Sequence, residues 1–284
     1  MAHLIAVVNQ KGGVGKTTTA VNLGAGLADV GKRVLLVDID PQANASAGLG
    51  IDHRALTVGI YDALVGRATL SSILQNTAHN SLRVAPATAA LAGANVELVT
   101  TPEREWQLER LLKNGTDDFD YVLIDCPPSL GLLTVNGLVA ADQVLIPIQT
   151  EYYALEGLGQ LLDTVRLVQD NLKPSLSILG AVMTMFDGRN KLSKDVFDEV
   201  YKFFPNKIFR TVIPRNVRLA EAPSFGKSIL HYDSASRGAK AYRDFSREIL
   251  DFFEPPLEPS AIDTPVATAS VVDPADSAIA NFTV

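Results

Sequence analysis

Residues 9–20 read NQKGGVGKTTTA. An apolar run, HLIAVVN at 3–9, leads into this stretch, and a helical pattern from about residue 16 to Val30 leads out of it. Glycines at 12, 13 and 15 let the backbone take positive φ angles and approach a ligand closely. Strand, glycine-rich loop and helix together make a phosphate-binding loop. Backbone N–H groups and the helix N-terminus face phosphate oxygens, Lys16 supplies a point charge, and the Thr17 hydroxyl is placed for Mg²⁺. The candidate ATP-binding residues here are Lys11, Gly12, Gly13, Val14, Gly15, Lys16, Thr17 and Thr18. The usual spacing G-x-x-x-x-G-K-[ST] is not met, because its first glycine falls on Gln10 and a second lysine, Lys11, opens the loop instead. On the residues alone, Lys11 either adds positive field to its own site or serves a separate purpose.

Working outward, six further runs read as strands: 33–40 (RVLLVDID), 82–87, 121–127 (YVLIDCP), 143–149, 178–186 and 207–214. They are near-continuously apolar, as expected of strands covered on both faces. Helical patterns separate them. The clearest spans 152–172, with Leu155, Leu158, Leu162, Val165, Val168 and Leu172 at helical spacing. The expectation is an α/β fold of the P-loop NTPase class: a mostly parallel twisted sheet with helices on both faces. It forms one domain over 1–254. From Pro255 the chain is rich in Pro, Ala, Ser and acidic residues and has no Lys or Arg, so 255–284 is expected to be a disordered tail.

Two strand ends carry aspartates. Asp38 and Asp40 close the second run, and Asp125 follows four apolar residues in the Walker B arrangement. Open parallel sheets bind ligands at that edge. Any one of these aspartates could serve as a cap or turn residue, but three beside a phosphate loop point to Mg²⁺ and to catalysis.

Composition excludes several classes. Of 284 residues 47% are hydrophobic and 20% charged, the balance of a globular chain. The single cysteine, Cys126, allows neither an internal disulfide nor a cysteine zinc site, and reads as a small buried residue. The histidines, His3, His53, His79 and His231, show no ligand spacing and read as surface or packing residues. No basic leader precedes the first apolar run, and no run approaches the roughly 18 residues of a membrane span.

The K-G-G-V-G-K-T loop resembles the deviant Walker A motif of the ParA/MinD family of ATPases. VDIDPQANAS, DCPPSLGLLTVNGL, EYYALEGLGQLL and TVIPRNVRLAEAPSFGKSIL resemble its ParA/Soj chromosome-partitioning branch. The resemblance covers residues 3 to about 250. It implies that Lys11 reaches across a dimer interface to phosphates held by the partner, and that Lys11, Lys16 and Asp40 form the catalytic set. Asp40 would orient or activate the attacking water. Thr17, Asp38 and Asp125 would hold Mg²⁺, and Pro214 and Asn216 would line the adenine. ATP and Mg²⁺ are the implied cofactors. The implied partners are a second copy of the chain, non-specific double-stranded DNA and a ParB/Spo0J-type centromere-binding protein that stimulates slow hydrolysis. The implied location is cytoplasmic, on the nucleoid. Because the chain starts at its first strand, site-specific operator binding through an N-terminal extension is not expected.

Net charge is −7, which at first opposes DNA binding. The charge is unevenly spread: residues 187–247 hold 13 Lys+Arg against 7 Asp+Glu, more than half the basic residues of the chain. Phosphate contacts depend on local field, although the same count also suits a solvated mixed surface. By resemblance, Arg189 and Arg218 are the DNA contacts, with Lys191, Lys194 and Lys227 as helpers. The alternative is a MinD-like membrane-associated positioning ATPase. That needs a basic amphipathic helix at the end of the chain, whereas Tyr242, Phe245, Ile249 and Phe252 are spaced for a core and the tail is acidic, so no membrane partner is expected. A nitrogenase-type iron–sulfur reductase needs more cysteines, a kinase or synthetase on this fold has no use for Lys11, and a non-hydrolysing scaffold has none for Asp40.

Overall fold

The computed structural model describes residues 1–151 and 156–255. Its sheet contains seven strands: β1 His3–Val7, β2 Val34–Asp38, β3 Gln75–Asn76, β4 Leu82–Ala85, β5 Tyr121–Asp125, β6 Gln143–Gln149 and β7 Ser177–Thr184. Their order is β3-β4-β2-β5-β1-β6-β7. All neighbours run parallel except β3 and β4. Six of the expected runs are strands: 143–149 at the expected bounds, 178–186 shifted to Ser177–Thr184, and the other four shorter at their carboxyl ends. The seventh, 207–214, makes only isolated bridges, Ala181 to Ile208 and Phe186 to Pro214. Phe209 N and Ile213 N still donate to β7, but between them Thr211 N, which alternation would aim at β7, goes to the Glu248 carboxylate at 3.0 Å, as does Arg210 N at 2.6 Å. The two-residue β3 has no apolar run and was not expected.

Alternation along each strand divides the core into two layers. In β1, Ile5 and Val7 face one layer and Ala6 the other, which Val8 just beyond the strand also enters. The layer that Ala6 faces holds helices Leu132–Ala140, Glu156–Asn171 and Lys191–Phe203. In Glu156–Asn171 the buried stripe is Leu158, Leu161, Val165 and Val168, while Leu162 and Leu172 are half-buried. Leu155 and the tail beyond Pro255 lie outside the described residues.

The opposite layer holds helix α1, Lys16–Asp29, against helix Arg237–Phe253. The two approach closely at Gly26, where an added Cβ would overlap the Ser246 hydroxyl and come within 3.0 Å of Ser246 Cβ. Tyr242, Phe245 and Ile249 are buried there. Phe252, expected in the core, is 55% exposed. Phe253 takes the inward position instead, half-buried against the core with its ring centroid 4.1 Å from that of His3.

Candidate active site

Register places the chemistry. Val7 lies level with Asp125, and Asp125 with Asp38, at the carboxyl edge of three adjacent strands. The loop leaves β1 at that edge, where parallel sheets gather their ligands.

Gly13 and Gly15 have φ +74° and +89°, which only glycine takes without strain. A Cβ on Gly12 or Gly13 would meet nothing within 4 Å, so this part of the loop borders open space. Val14 is buried, and its carbonyl accepts a hydrogen bond from Thr184 Oγ1 at 2.7 Å, anchoring the loop to β7. No side chain caps α1, which leaves its first N–H groups free for an anion. Lys16 is 6% exposed and donates to the Lys11 carbonyl at 3.1 Å. Burial lowers its pKa, against the opposing pull of Asp125 and Asp40. A cavity of about 480 Å³ is lined by Gly12, Gly13, Lys16, Thr17 and Asp40. A second, about 330 Å³, shares Gly15 and Thr18 with it and is lined by Pro214, Asn216 and Tyr242. Two joined cavities of this size suit the phosphates and the base of one nucleotide.

The carboxylates differ in their partners. Asp38 is fully buried: Oδ2 accepts from Ser46 N at 2.8 Å and Ser46 Oγ at 2.7 Å, and Oδ1 accepts from Asp40 N at 3.2 Å. Burial raises its pKa, and the Ser46 hydrogen bonds oppose that rise. Asp40 accepts from Gln42 N at 2.9 Å and faces the larger cavity. Asp125 is also fully buried, its Oδ2 accepting from Thr17 Oγ1 at 2.8 Å. Burial, then the nearby Asp38 charge, pushes its pKa well up. Its Oδ1 is buried with no hydrogen-bond partner among the described residues. The Thr17 hydroxyl and a carboxylate with one orphaned oxygen form a donor set that fits a small hard cation such as Mg²⁺.

Lys11 is arranged differently from Lys16. Its carbonyl faces inward to Lys16, while its ammonium points away to Glu151 Oε2 at 2.9 Å, in a pair 32% and 44% exposed. Glu151 also takes Arg215 at 4.0 Å and the Gln149 amide. Sequence reading missed Glu151, Ser46 and Thr184: Glu151 and Ser46 lie in stretches that carry the family resemblance, but nothing in the spacing shows that Glu151 meets Lys11, that Ser46 meets Asp38 or that Thr184 meets the loop. Cys126 is free and fully buried.

Arg189 is 92% exposed, and its guanidinium grips Asp187 at 2.9 and 3.0 Å. Arg218 pairs with Glu221 at 2.9 Å and Asp233 at 3.4 Å. A DNA phosphate would compete with these carboxylates. Lys191 is exposed at the start of helix Lys191–Phe203, which also carries Lys194, whose side chain lies outside the described residues. Lys227 lines the phosphate-side cavity. No described helix is long and apolar enough to cross a membrane.

The comparisons with known proteins agree with this geometry. A family model described as an AAA domain matches residues 2–178. The sporulation initiation inhibitor protein Soj of Bacillus subtilis is 57% identical over 249 residues, covering 88% of this chain and 98% of that protein. The chromosome partitioning protein ParA of Myxococcus xanthus is 50% identical over 250 residues, covering 88% of each. Among solved structures, cobyrinic acid a,c-diamide synthase from Mycobacterium smegmatis with bound ADP and magnesium superposes with a TM-score of 0.80 at 40% identity, over 90% of this chain and 96% of that one. With a phosphate loop opened by Lys11, three strand-end aspartates and relatives this similar over nearly nine-tenths of its length, the chain belongs to the ParA/Soj family of chromosome-partitioning ATPases.

Proposed function

We propose that the chain is a DNA-partitioning ATPase that binds ATP with Mg²⁺ in the two joined cavities, dimerises through that binding, and holds double-stranded DNA without sequence preference. A ParB-type centromere-binding partner then stimulates hydrolysis and returns the chain to monomers.

Each residue has a task in this reading. Lys16 and the loop amides neutralise the phosphates. Thr17 and Asp125 would hold Mg²⁺, with Asp38 in its surroundings, and the bound cation would supply charge neutralisation for the phosphates. Asp40, at the cavity wall, orients the attacking water and accepts its proton. Pro214 and Asn216 line the base. The ADP and magnesium of the mycobacterial structure support the nucleotide assignment.

The observation that carries the dimer reading is the orientation of Lys11. Its main chain serves its own loop, while its ammonium stands at the rim on Glu151, free to exchange that carboxylate for a phosphate in a second copy. Sedimentation with and without ATP, and then with DNA across a salt series, tests the whole reading. A monomer that becomes a dimer only with ATP, and a dimer that binds DNA with steep salt dependence, is the expected result. A chain that hydrolyses ATP without ever dimerising or binding DNA would instead favour a small-molecule enzyme on this fold.

A further inference from the structure

The histidines are scattered in sequence, yet the fold brings two of them face to face. His79 lies between β3 and β4, and His231 lies in the short helix Ile229–Tyr232. Their rings stack 3.6 Å apart and 13° from parallel. Asp29, the last residue of α1, places Oδ1 3.2 Å from His79 Nδ1. Ligand atoms of Asp29, His79 and His231 all lie within 4.8 Å of one another. His79 is 5% exposed, while Asp29 and His231 are exposed and line an open cavity of about 320 Å³.

The hydrogen bonding favours a ligand role. His79 Nε2 lies 2.8 Å from the buried Ser228 Oγ. Metal-bound histidines carry such an outer partner on the second nitrogen, which fixes ring and tautomer. With no cation, Nδ1–H donates to Asp29 and the Ser228 hydroxyl donates to Nε2. With a cation, the ring takes the other tautomer: Nε2–H donates to Ser228, and the Nδ1 lone pair faces the ion beside the Asp29 carboxylate. The serine serves in both states. The line Asp29–His79–Ser228 is not a nucleophile triad, because Ser228 is 1% exposed and caps its own helix.

We propose that Asp29, His79 and His231 form a site for a borderline divalent transition-metal ion of the zinc class. Two imidazole nitrogens and a carboxylate are its preferred donors; the exposed His231 ring turns out of its stack on His79 so that both nitrogen lone pairs meet the ion, and water from the adjoining cavity completes a tetrahedron. Mg²⁺ and Ca²⁺, which prefer all-oxygen shells, fit poorly. The site lies at the far end of α1 from the phosphate loop, about 20 Å away along the helix axis. An ion there ties α1 to the loop before β4 and to the helix Ile229–Tyr232. It is independent of the nucleotide reading.

The test uses the full chain freed of metal by chelation, with excess Mg²⁺ and ADP present to occupy the nucleotide site. Calorimetric titration with Zn²⁺ should show one saturable equivalent. At a hundredfold excess over Kd the melting temperature should rise by roughly 5 °C or more. His231→Ala and Asp29→Asn alter exposed side chains that the core does not need, and each should weaken Zn²⁺ binding at least about tenfold. No saturable binding, unchanged affinity in both variants, or an equal melting rise with added Mg²⁺ would overturn the site.

Discussion

Lys16 and Asp40 sit in the same cavity, and their replacement should have opposite consequences. Lys16→Ala removes a buried counter-charge for phosphate, so ATP binding should be lost, as read by equilibrium dialysis. Near-parent affinity would place the phosphates elsewhere. Asp40→Ala leaves the loop and the Thr17–Asp125 pair intact. Binding should persist while turnover falls about a hundredfold or more, the usual cost of losing a positioned base, and the ATP-bound dimer should outlive that of the parent. Unchanged turnover would remove Asp40 from the catalytic set. Ser46 affects stability rather than chemistry. Its hydroxyl donates to Asp38 and accepts from Ala87 N at 3.1 Å, so Ser46→Ala leaves two buried groups short of a partner. A loss of about 1–3 kcal/mol is expected in urea unfolding. A fully parental midpoint would show that Asp38 finds another donor.

Among the elements, α1 and helix Arg237–Phe253 must fit together for the loop to be held. Thr19 Oγ1 and Tyr242 OH meet at 3.2 Å between them, and Gly26 lets the backbones close. Gly26→Val forces Ser246 and its helix outward, at a cost of about 1–3 kcal/mol. Ser246→Gly in the same chain should recover part of that loss, because it removes the atoms the new side chain meets. Failure of the second change to recover anything would show that the cost arises elsewhere. The same helix supplies Glu248, whose carboxylate interrupts the expected strand at 207–214. The apolar run there reads as a strand because local pattern cannot register a carboxylate arriving from a helix almost forty residues later.

For the whole molecule, dimerisation and DNA binding should separate. Arg189→Glu and Arg218→Glu should each weaken DNA binding and lower the slope of log affinity against log salt by about one unit, with ATP-driven dimerisation unaffected. Wild-type slopes in both would show the basic segment to be a solvated face. Lys11→Ala should still bind ATP as a monomer but fail to dimerise, and DNA binding and hydrolysis should fail with it. Mixed with a Lys11-bearing chain, the variant should regain one working site per dimer, because its own loop is intact. Normal dimerisation of the variant alone, with poor ATP binding by its monomer, would place Lys11 in its own site.

Local pattern alone determined the phosphate loop, its second lysine, the strand-end aspartates and the parallel doubly covered sheet. Those features rest on spacing within a few residues and on strand and helix period, and both are written in order along the chain. It also marked the basic segment, but not that Arg189 and Arg218 are each held by carboxylates of the same chain. Only the tertiary structure decided that Lys11 rests on Glu151, that Ser46 rather than solvent satisfies Asp38, and that Phe253 replaces Phe252 at the core. Only it brought His79 and His231 together beside Asp29. Apart from Ser46, which the short connection after β2 brings back onto Asp38, each of these depends on which distant segments the fold makes neighbours, and contacts of that kind leave no period in the residues on either side of them.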